Sequence, residues 1–211
     1  LVLVTAPIAT RSGYGSHSRD IVHSLIDMDK FEIKIMSVRW GNTSMNALDE
    51  TNERDKRIID RLMSEPRLPR KPDIHIHIVV PNEFMVNATY NIGITAGIES
   101  TVIHQTWLEG CNRMDLIIVP SEFTKQGIQN TGYTRHDQAT GQKGPDLKLE
   151  TPIEVLFEGA DLNIYKKTNE FSPEVIDEFD KIPERFNFLY TGHWLQGNLG
   201  EDRKDTGMLV K

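Results

Sequence analysis

The first 25 residues constrain the fold most, because they read as a strand, a glycine-bearing loop and a helix in direct succession. Residues 1–4 form an unbroken apolar run, which is typical of a strand buried on both faces of a parallel sheet. Polar residues follow, with Gly13 and Gly15 among them, and apolar residues then recur at a spacing that predicts a helix from about Ser16. Glycines let a backbone approach an anion, and helix-start amides point at it. The same glycines also suit a plain tight turn, so both roles stay open.

Strand and helix patterns alternate along the rest of the chain. We predict strands over residues 1–5, 31–38, 73–80, 91–96, 116–119, 153–157 and 186–191. Helices are predicted over residues 54–63, 101–109 and 121–130, with another from Pro173, and the expected caps are Ser100, Ser121 and Ser172. This alternation predicts an α/β fold built on a doubly wound, mostly parallel, Rossmann-like sheet. Residues 134–151 have no periodicity and are predicted to be a disordered or mobile loop.

Composition and charge exclude several classes of protein. The formal net charge of −7 argues against a nucleic-acid partner. No apolar run approaches the ~18–20 residues that span a bilayer, so no transmembrane segment is expected. Cys111 is the single cysteine, which leaves no internal disulfide and fits the reducing cytoplasm. It has no evident activating partner, and the chain has no Gly-x-Ser-x-Gly elbow, so a nucleophilic hydrolase is not expected.

Polar residues follow several predicted strands, where an open α/β sheet binds its ligands. The candidate catalytic residues are His17, after the first strand and loop, and Glu99, after the fourth strand. Ser121 follows the fifth strand, and Glu158 and Asp161 follow the sixth, as candidate acceptor or cleft residues. Each of these residues also suits an ordinary cap or helix start.

Two histidines share one face of a predicted strand. His75 and His77 alternate with isoleucines, so both rings point to the same side. A metal site would need a third ligand, and the sequence marks none. We predict no metal site and interpret the segment as a half-polar strand near the edge of the sheet.

The last segment repeats the arrangement of the first. The apolar residues 186–190 precede glycines and then Arg203 and Lys204 at a predicted helix start. Two cations beside free backbone amides would hold a diphosphate, although such a pair is also common on solvated surfaces.

Four motifs in this order resemble those of glycosyltransferase family 4, which has the GT-B architecture of two Rossmann-like domains facing a cleft. They are residues 12–19 (S-G-Y-G-S-H-S-R), 115–124 (D-L-I-I-V-P-S-E-F-T), 153–165 (I-E-V-L-F-E-G-A-D-L-N-I-Y) and 188–205. The resemblance implies an acceptor-side domain over residues 1–183. It also implies that residues 184–211 are the truncated start of a donor-binding domain.

The resemblance also implies a reaction. Gly13, Tyr14 and Gly15 on one side, with Arg203 and Lys204 on the other, would hold the diphosphate of a nucleotide-sugar donor. Transfer to an unknown acceptor would retain the anomeric configuration and need neither metal nor any cofactor beyond that co-substrate. Residues 96–99 read A-G-I-E where many members carry a histidine, so the usual catalytic histidine has no counterpart here. The family's paired glutamates would lie beyond residue 211, so the chain alone is expected to be inactive.

Two other functions remain open. The missing histidine favours a non-catalytic Rossmann-like module that binds a sugar phosphate or a partner protein. A bulky residue at Gly15 is expected to distinguish this module from the glycosyltransferase. Only if Gly15 contacts the donor phosphates should the substitution abolish turnover while the protein still folds. A nicotinamide-dependent oxidoreductase would require an acidic residue at the end of the second strand, where the chain reads V-R-W at residues 38–40.

The lone apolar strand predicted at residues 186–191 also predicts pairing with a second copy of the chain.

Overall fold

The computed structural model describes residues 1–65, 67–97, 100–134, 142–190 and 206–210. It divides the chain into two compact units, Leu1–Gly159 and Ala160–Lys211. The expected domain boundary between residues 183 and 184 stays a prediction. Glu99, Arg203 and Lys204 lie outside the described residues, so their roles also stay predictions.

The first unit is built on a six-stranded parallel sheet. The strands are β1 (Val2–Ala6), β2 (Ile33–Ser37), β3 (Ile74–Ile78), β4 (Tyr90–Ile94), β5 (Leu116–Val119) and β6 (Ile153–Val155). Their order in the sheet is β2-β1-β3-β4-β5-β6, and every neighbouring pair is parallel. The α/β class and the first six predicted strands are confirmed.

Helices cover both faces of this sheet. The helices of the first unit are α1 (Gly13–Asp27), α2 (Glu53–Ile59), α3 (Gln105–Cys111) and α4 (Glu122–Asn130). One buried cluster joins α1 and α2 to alternate residues of β1 and β2, and it includes Val22, Ile26, Ile58, Val4 and Ile35. A second cluster joins α3 and α4 to the other face, with Leu108, Ile128, Ile117 and Val119 among its members. Burial on both faces explains the unbroken apolar runs at residues 1–4 and 116–119, in β1 and β5.

Helix α3 begins later than the sequence predicts. It was expected from residue 101 with Ser100 as its cap, but it begins at Gln105, and His104 Nδ1 accepts the capping hydrogen bond. The segment before α3 is instead held by tertiary contacts, because Ile103 is buried in the core and its amide donates to Thr131 Oγ1 at 3.2 Å. Tertiary contacts therefore overrule the local cap signal at this point.

The two histidines of β3 lie in the interior of the sheet, so their predicted position near a sheet edge is wrong. His75 is 0% exposed, and its ring nitrogens contact Met85 O at 3.1 Å and Thr5 Oγ1 at 2.9 Å. His77 is 2% exposed, and its Nδ1 accepts a hydrogen bond from Met85 N at 3.1 Å. Burial lowers the pKa of each ring to about 4, with the nearby His75 adding to the effect on His77. Both rings are therefore neutral at pH 7.

Residues 142–151 belong to the first unit and are anchored to it by hydrogen bonds. Leu147 is buried and exchanges backbone hydrogen bonds with Tyr133, and Thr151 Oγ1 donates to Cys111 O at 3.0 Å. Residues 142–151 form no helix or strand, as expected of a loop, and whether the loop is mobile stays a prediction; residues 135–141 lie outside the described part of the chain.

The second unit contains α5 (Pro173–Phe179) and α6 (Thr206–Val210). Helix α5 begins at Pro173, as predicted. The strand predicted over residues 186–191 is not formed at residues 186–190, and the described residues of this unit supply no strand for it to pair with. Residues 186–190 therefore offer no formed strand for the pairing with a second copy of the chain that the sequence predicts. Of the helices that the structure describes, none has the length and apolar character needed to cross a membrane.

Candidate functional site

The strand order places a switch point between β1 and β3. From β1 the chain passes through α1 to β2 on one side, and β3 lies on the other side of β1. In open parallel sheets, ligands bind at such a point, outside the carboxyl ends of the strands. Residues 7–12 and the first turn of α1 lie at this edge, directly after β1.

The loop after β1 is held by its own hydrogen bonds. Thr10 is fully buried, and its Oγ1 donates to Pro7 O at 2.7 Å and lies 2.8 Å from Ser12 Oγ. Arg19, from α1, donates to Ile8 O at 2.8 Å and to Thr10 O at 3.0 Å. A loop fixed in this way presents its backbone to a ligand without a further ordering cost.

Helix α1 begins at Gly13, earlier than the predicted start near Ser16. Ser12 caps it: Ser12 Oγ accepts from Gly15 N at 3.0 Å, and Ser12 O accepts from Ser16 N at 2.9 Å. The first amides of a helix have no acceptor within the helix itself. In the described part of the chain, the amides of Gly13 and Tyr14 have no hydrogen-bond acceptor. These two donors are left for a ligand or for water.

The two glycines of this turn have different surroundings. A Cβ at Gly15 would lie 2.3 Å from Thr10 O and 2.9 Å from Pro7 O, so this glycine is required where the helix packs on the loop. A Cβ at Gly13 would have nothing within 4 Å. An anion that approaches this turn would meet Gly13 and Tyr14, since the space beside Gly15 is filled by protein.

The Tyr14 side chain spans the switch point. Its ring stacks on Trp40 with a centroid distance of 4.2 Å, and its hydroxyl contacts Thr95 Oγ1 at 2.9 Å and Ala96 N at 3.0 Å. Thr95 and Ala96 follow β4, and β3 lies between β4 and β1, so Tyr14 crosses the carboxyl end of β3. Burial raises the pKa of Tyr14, with the hydrogen bonds from Thr95 and Ala96 partly opposing the rise, and the phenol is neutral at pH 7.

His17 and Glu158 meet beside Tyr14. His17 Nδ1 lies 3.6 Å from Glu158 Oε1, which is an ion pair when the ring is protonated. Burial is the main cause of the raised pKa of Tyr14, and the negative charge of the Glu158 carboxylate also contributes to it. The structure thus brings together three predicted site residues from different parts of the chain. We call Tyr14, His17, Trp40, Thr95 and Glu158 the Tyr14 cluster.

Two other predicted site residues have local structural roles. Ser121 Oγ accepts from Thr124 N at 3.1 Å and caps α4, as predicted for a helix start. It reaches the Tyr14 cluster only through Thr124, whose hydroxyl donates to Ala96 O at 3.4 Å. Asp161 belongs to the second unit, where its Oδ1 accepts from Asn163 N at 2.9 Å.

One residue of the D-L-I-I-V-P-S motif lies at the opposite edge of the sheet. Asp115 Oδ2 accepts from Asn91 N at 2.7 Å and from Asn91 Nδ2 at 3.1 Å. Both residues lie at the amino ends of β4 and β5, away from the switch point. Asp115 therefore joins two strands and cannot reach a ligand at the carboxyl edge.

The thiol of Cys111 is unsuited to nucleophilic chemistry. Cys111 is fully buried, and burial raises its pKa to about 12, with Arg113 opposing the rise only in part. A thiol at pH 7 is then almost wholly protonated. Across the described ranges, no three His, Cys, Asp or Glu side chains are grouped closely enough to hold a metal ion.

The sequence did not indicate Thr95 as a site residue, and it placed Trp40 in a loop expected to contact the acceptor without indicating its stack on Tyr14. Thr95 bonds to a tyrosine 81 residues away, and Trp40 stacks on the same tyrosine from the segment after β2. Neither contact is indicated by a local sequence pattern.

No protein-family model matches the chain, and comparison with curated proteins and with solved structures finds no significant match. The parallel sheet and the Tyr14 cluster are the observations on which a function can be proposed.

Proposed function

We propose that this chain is the acceptor-side domain of a GT-B glycosyltransferase, with residues 184–211 as the start of the donor-binding domain. The intact protein would move a sugar from a nucleotide-sugar to an acceptor, retaining the configuration and using no metal. The observation that supports this most is the first turn of α1. It stands at the switch point with an open Gly13 and two amides that have no acceptor among the described residues.

This turn suits the diphosphate of a donor. Helix α1 has 15 residues, and its dipole and free amides favour an anion at the amino end. Such an end contributes about 0.3–2 kcal/mol. Micromolar binding needs about 8 kcal/mol, so the turn alone would hold a diphosphate only weakly. The proposal therefore requires Arg203 and Lys204 to supply charge-assisted hydrogen bonds to the same group.

His17 and Glu158 suit the acceptor side. An imidazole within reach of a carboxylate is oriented by it, and in that position it can accept a proton from a hydroxyl. The 3.6 Å contact between His17 Nδ1 and Glu158 Oε1 leaves Nε2 for such a hydroxyl. We assign His17 as the candidate base and keep Glu99 as a second candidate catalytic acid or base.

The non-catalytic binding module is a second candidate. The residues after β4 are Ala96 and Gly97, where the resemblance leads one to expect a histidine. A module of this kind would use the same amides to bind a sugar phosphate and would not turn it over.

Substitution of Gly13 tests the proposal. In the longest natural protein that contains this sequence, Gly13→Val is expected to slow release of nucleoside diphosphate from a nucleotide-sugar by about tenfold or more. The side chain would shield the amides that stabilise the leaving group. The thermal midpoint should be unchanged, because a Cβ at Gly13 meets nothing within 4 Å. Release is measured over a panel of UDP-, GDP- and ADP-sugars.

Gly127→Val provides the control for a helical glycine away from this edge. Gly127 lies in α4, and a Cβ added there would have its nearest neighbour, Ser100 O, at 3.5 Å. Release at the wild-type rate by Gly13→Val would contradict the donor-phosphate role. Binding of a nucleotide without release from any donor would favour the module, and neither binding nor release by the folded protein would contradict both candidates.

A further inference from the structure

The hydroxyl of Tyr14 bonds to two groups of the turn after β4. The amide of Ala96 can only donate, so Tyr14 accepts from it at 3.0 Å, and the same hydroxyl shares a hydrogen bond with Thr95 Oγ1 at 2.9 Å. Thr95 is 1% exposed, and its Oγ1 also accepts from Gly97 N at 3.3 Å. Three connected hydrogen bonds thus run through residues 95–97.

This contact joins two segments that the sheet keeps apart. Tyr14 is in the first turn of α1, which follows β1, whereas residues 95–97 follow β4. Strands β1 and β4 are not neighbours, because β3 lies between them. The spacing of their carboxyl ends is therefore set in part by a side chain that crosses from one to the other.

One face of the Tyr14 ring is covered by Trp40. Trp40 stacks on it with an interplanar angle of 26°. The segment that follows Trp40 is bonded to the loop after β1, through Arg11 N to Ser44 O and Ala47 N to Ala9 O, both at 3.0 Å. These bonds hold the segment after Trp40 on the loop, and the stack on Trp40 joins the Tyr14 ring to it.

We propose that Tyr14 is a positioning residue whose hydroxyl locks the turn at residues 95–97 to the first turn of α1. The lock gives the free amides of Gly13 and Tyr14 one fixed spacing from the end of β4. The Tyr14 side chain is then committed to the protein, and only its backbone amide is offered to an anion. The inference relies on the proposed function only for the identity of that anion, a diphosphate.

The test replaces the hydroxyl and keeps the ring. Tyr14→Phe keeps an aromatic ring to stack on Trp40 but can no longer accept from Ala96 N or share a hydrogen bond with Thr95 Oγ1. The matched control is Tyr133→Phe, which removes another partly buried phenol hydrogen bond of the first unit, to Ile103 O. Both variants lose one hydroxyl, so a general loss of stability would affect them alike.

Two measurements are made on the chain by NMR. In Tyr14→Phe, exchange of the Ala96 amide is expected to accelerate by about tenfold, since its acceptor is gone. Inorganic pyrophosphate is titrated while the Gly13 and Tyr14 amide shifts are followed, and its dissociation constant is expected to rise about threefold or more as preorganisation is lost. Tyr133→Phe is expected to change neither quantity.

Unchanged exchange at Ala96 in Tyr14→Phe would overturn the lock. Faster exchange with unchanged pyrophosphate affinity would overturn the positioning role. If the wild-type chain shows no shift at Gly13 and Tyr14 with pyrophosphate, the proposed diphosphate site fails. In that case the hydrogen-exchange rate of the Ala96 amide in Tyr14→Phe alone tests the lock. Faster exchange than in the wild type supports the lock, and an unchanged rate overturns it.

Discussion

Alanine at Gly15 is expected to lower the free energy of unfolding of the first unit by about 3 kcal/mol or more. The new Cβ would lie 2.3 Å from Thr10 O, 2.7 Å from Thr10 Oγ1 and 2.9 Å from Pro7 O. Two of these atoms are backbone, and Thr10 is also bonded to Arg19, so the loop cannot retreat cheaply. Overpacking of this kind typically costs ~1–3 kcal/mol, and more where backbone must move. The measurement is denaturant unfolding followed by tryptophan fluorescence.

Gly13→Ala is the matched control, two residues away in the same helix. Its Cβ meets nothing within 4 Å, and alanine favours a helix over glycine by up to about 1 kcal/mol. We therefore expect unchanged or slightly higher stability. Equal stability of the two variants would contradict the packing described at Gly15.

The same contrast changes how the function should be tested. The sequence suggested a bulky residue at Gly15 as a probe that would abolish turnover without loss of folding. In the structure the space beside Gly15 is filled by Thr10 and Pro7, so such a variant would be destabilised whatever the function. Gly13 is the position at which folding and anion binding can be separated.

Acidification from pH 6.5 to pH 4 is expected to destabilise the first unit by several kcal/mol. The folded-state pKa of His75 and of His77 is lowered to about 4 from 6.5, mainly by burial. Between these values the unfolded chain binds more protons, so stability is complete above pH 6.5 and falls as the pH drops through the window. A shift of this size corresponds to about 3 kcal/mol for each ring. Burial also lowers the pKa of His23, which acts in the same direction.

The variant His77→Asn isolates one of these contributions. An asparagine side-chain oxygen can still accept from Met85 N, as His77 Nδ1 does, but it does not titrate in this range. The fall in stability between pH 6.5 and 4, from unfolding curves at several pH values, should shrink by about 3 kcal/mol. His104→Asn, at an exposed helix cap, controls for the loss of an imidazole. An unchanged pH profile in His77→Asn would show that this ring is not buried as described.

The sheet was predictable because its signals are local. Continuous apolar runs such as residues 1–4 and 116–119 already require burial on both faces, and helices between them force parallel pairing. The histidines of β3 show where this reasoning ends. Alternation placed both rings on one face, but whether the strand is interior or at an edge depends on strand order, which no local pattern contains.

The candidate site was predictable in position and only partly in its members. Strand ends led to the carboxyl edge of the sheet, where the structure places Tyr14 and His17 in one helix turn and Glu158 3.6 Å from His17; that this edge binds a ligand stays a proposal. Other predicted residues are explained by structure instead: Ser121 caps a helix, and Gly15 fills a packing contact. The sequence signal is the same for both roles, since caps and tight turns use the residue types that bind anions.

The path of Tyr14 across the end of β3 limits what this scaffold could be redesigned to bind. A flavin or nicotinamide cofactor laid across this sheet would enter between β1 and β3, and the Tyr14 side chain crosses this opening to bond to Thr95 after β4. Grafting a ribose-binding acid onto the end of β2 would therefore not create a cofactor site. An engineer would first have to retract that ring, and with it the docking of the segment that carries Trp40.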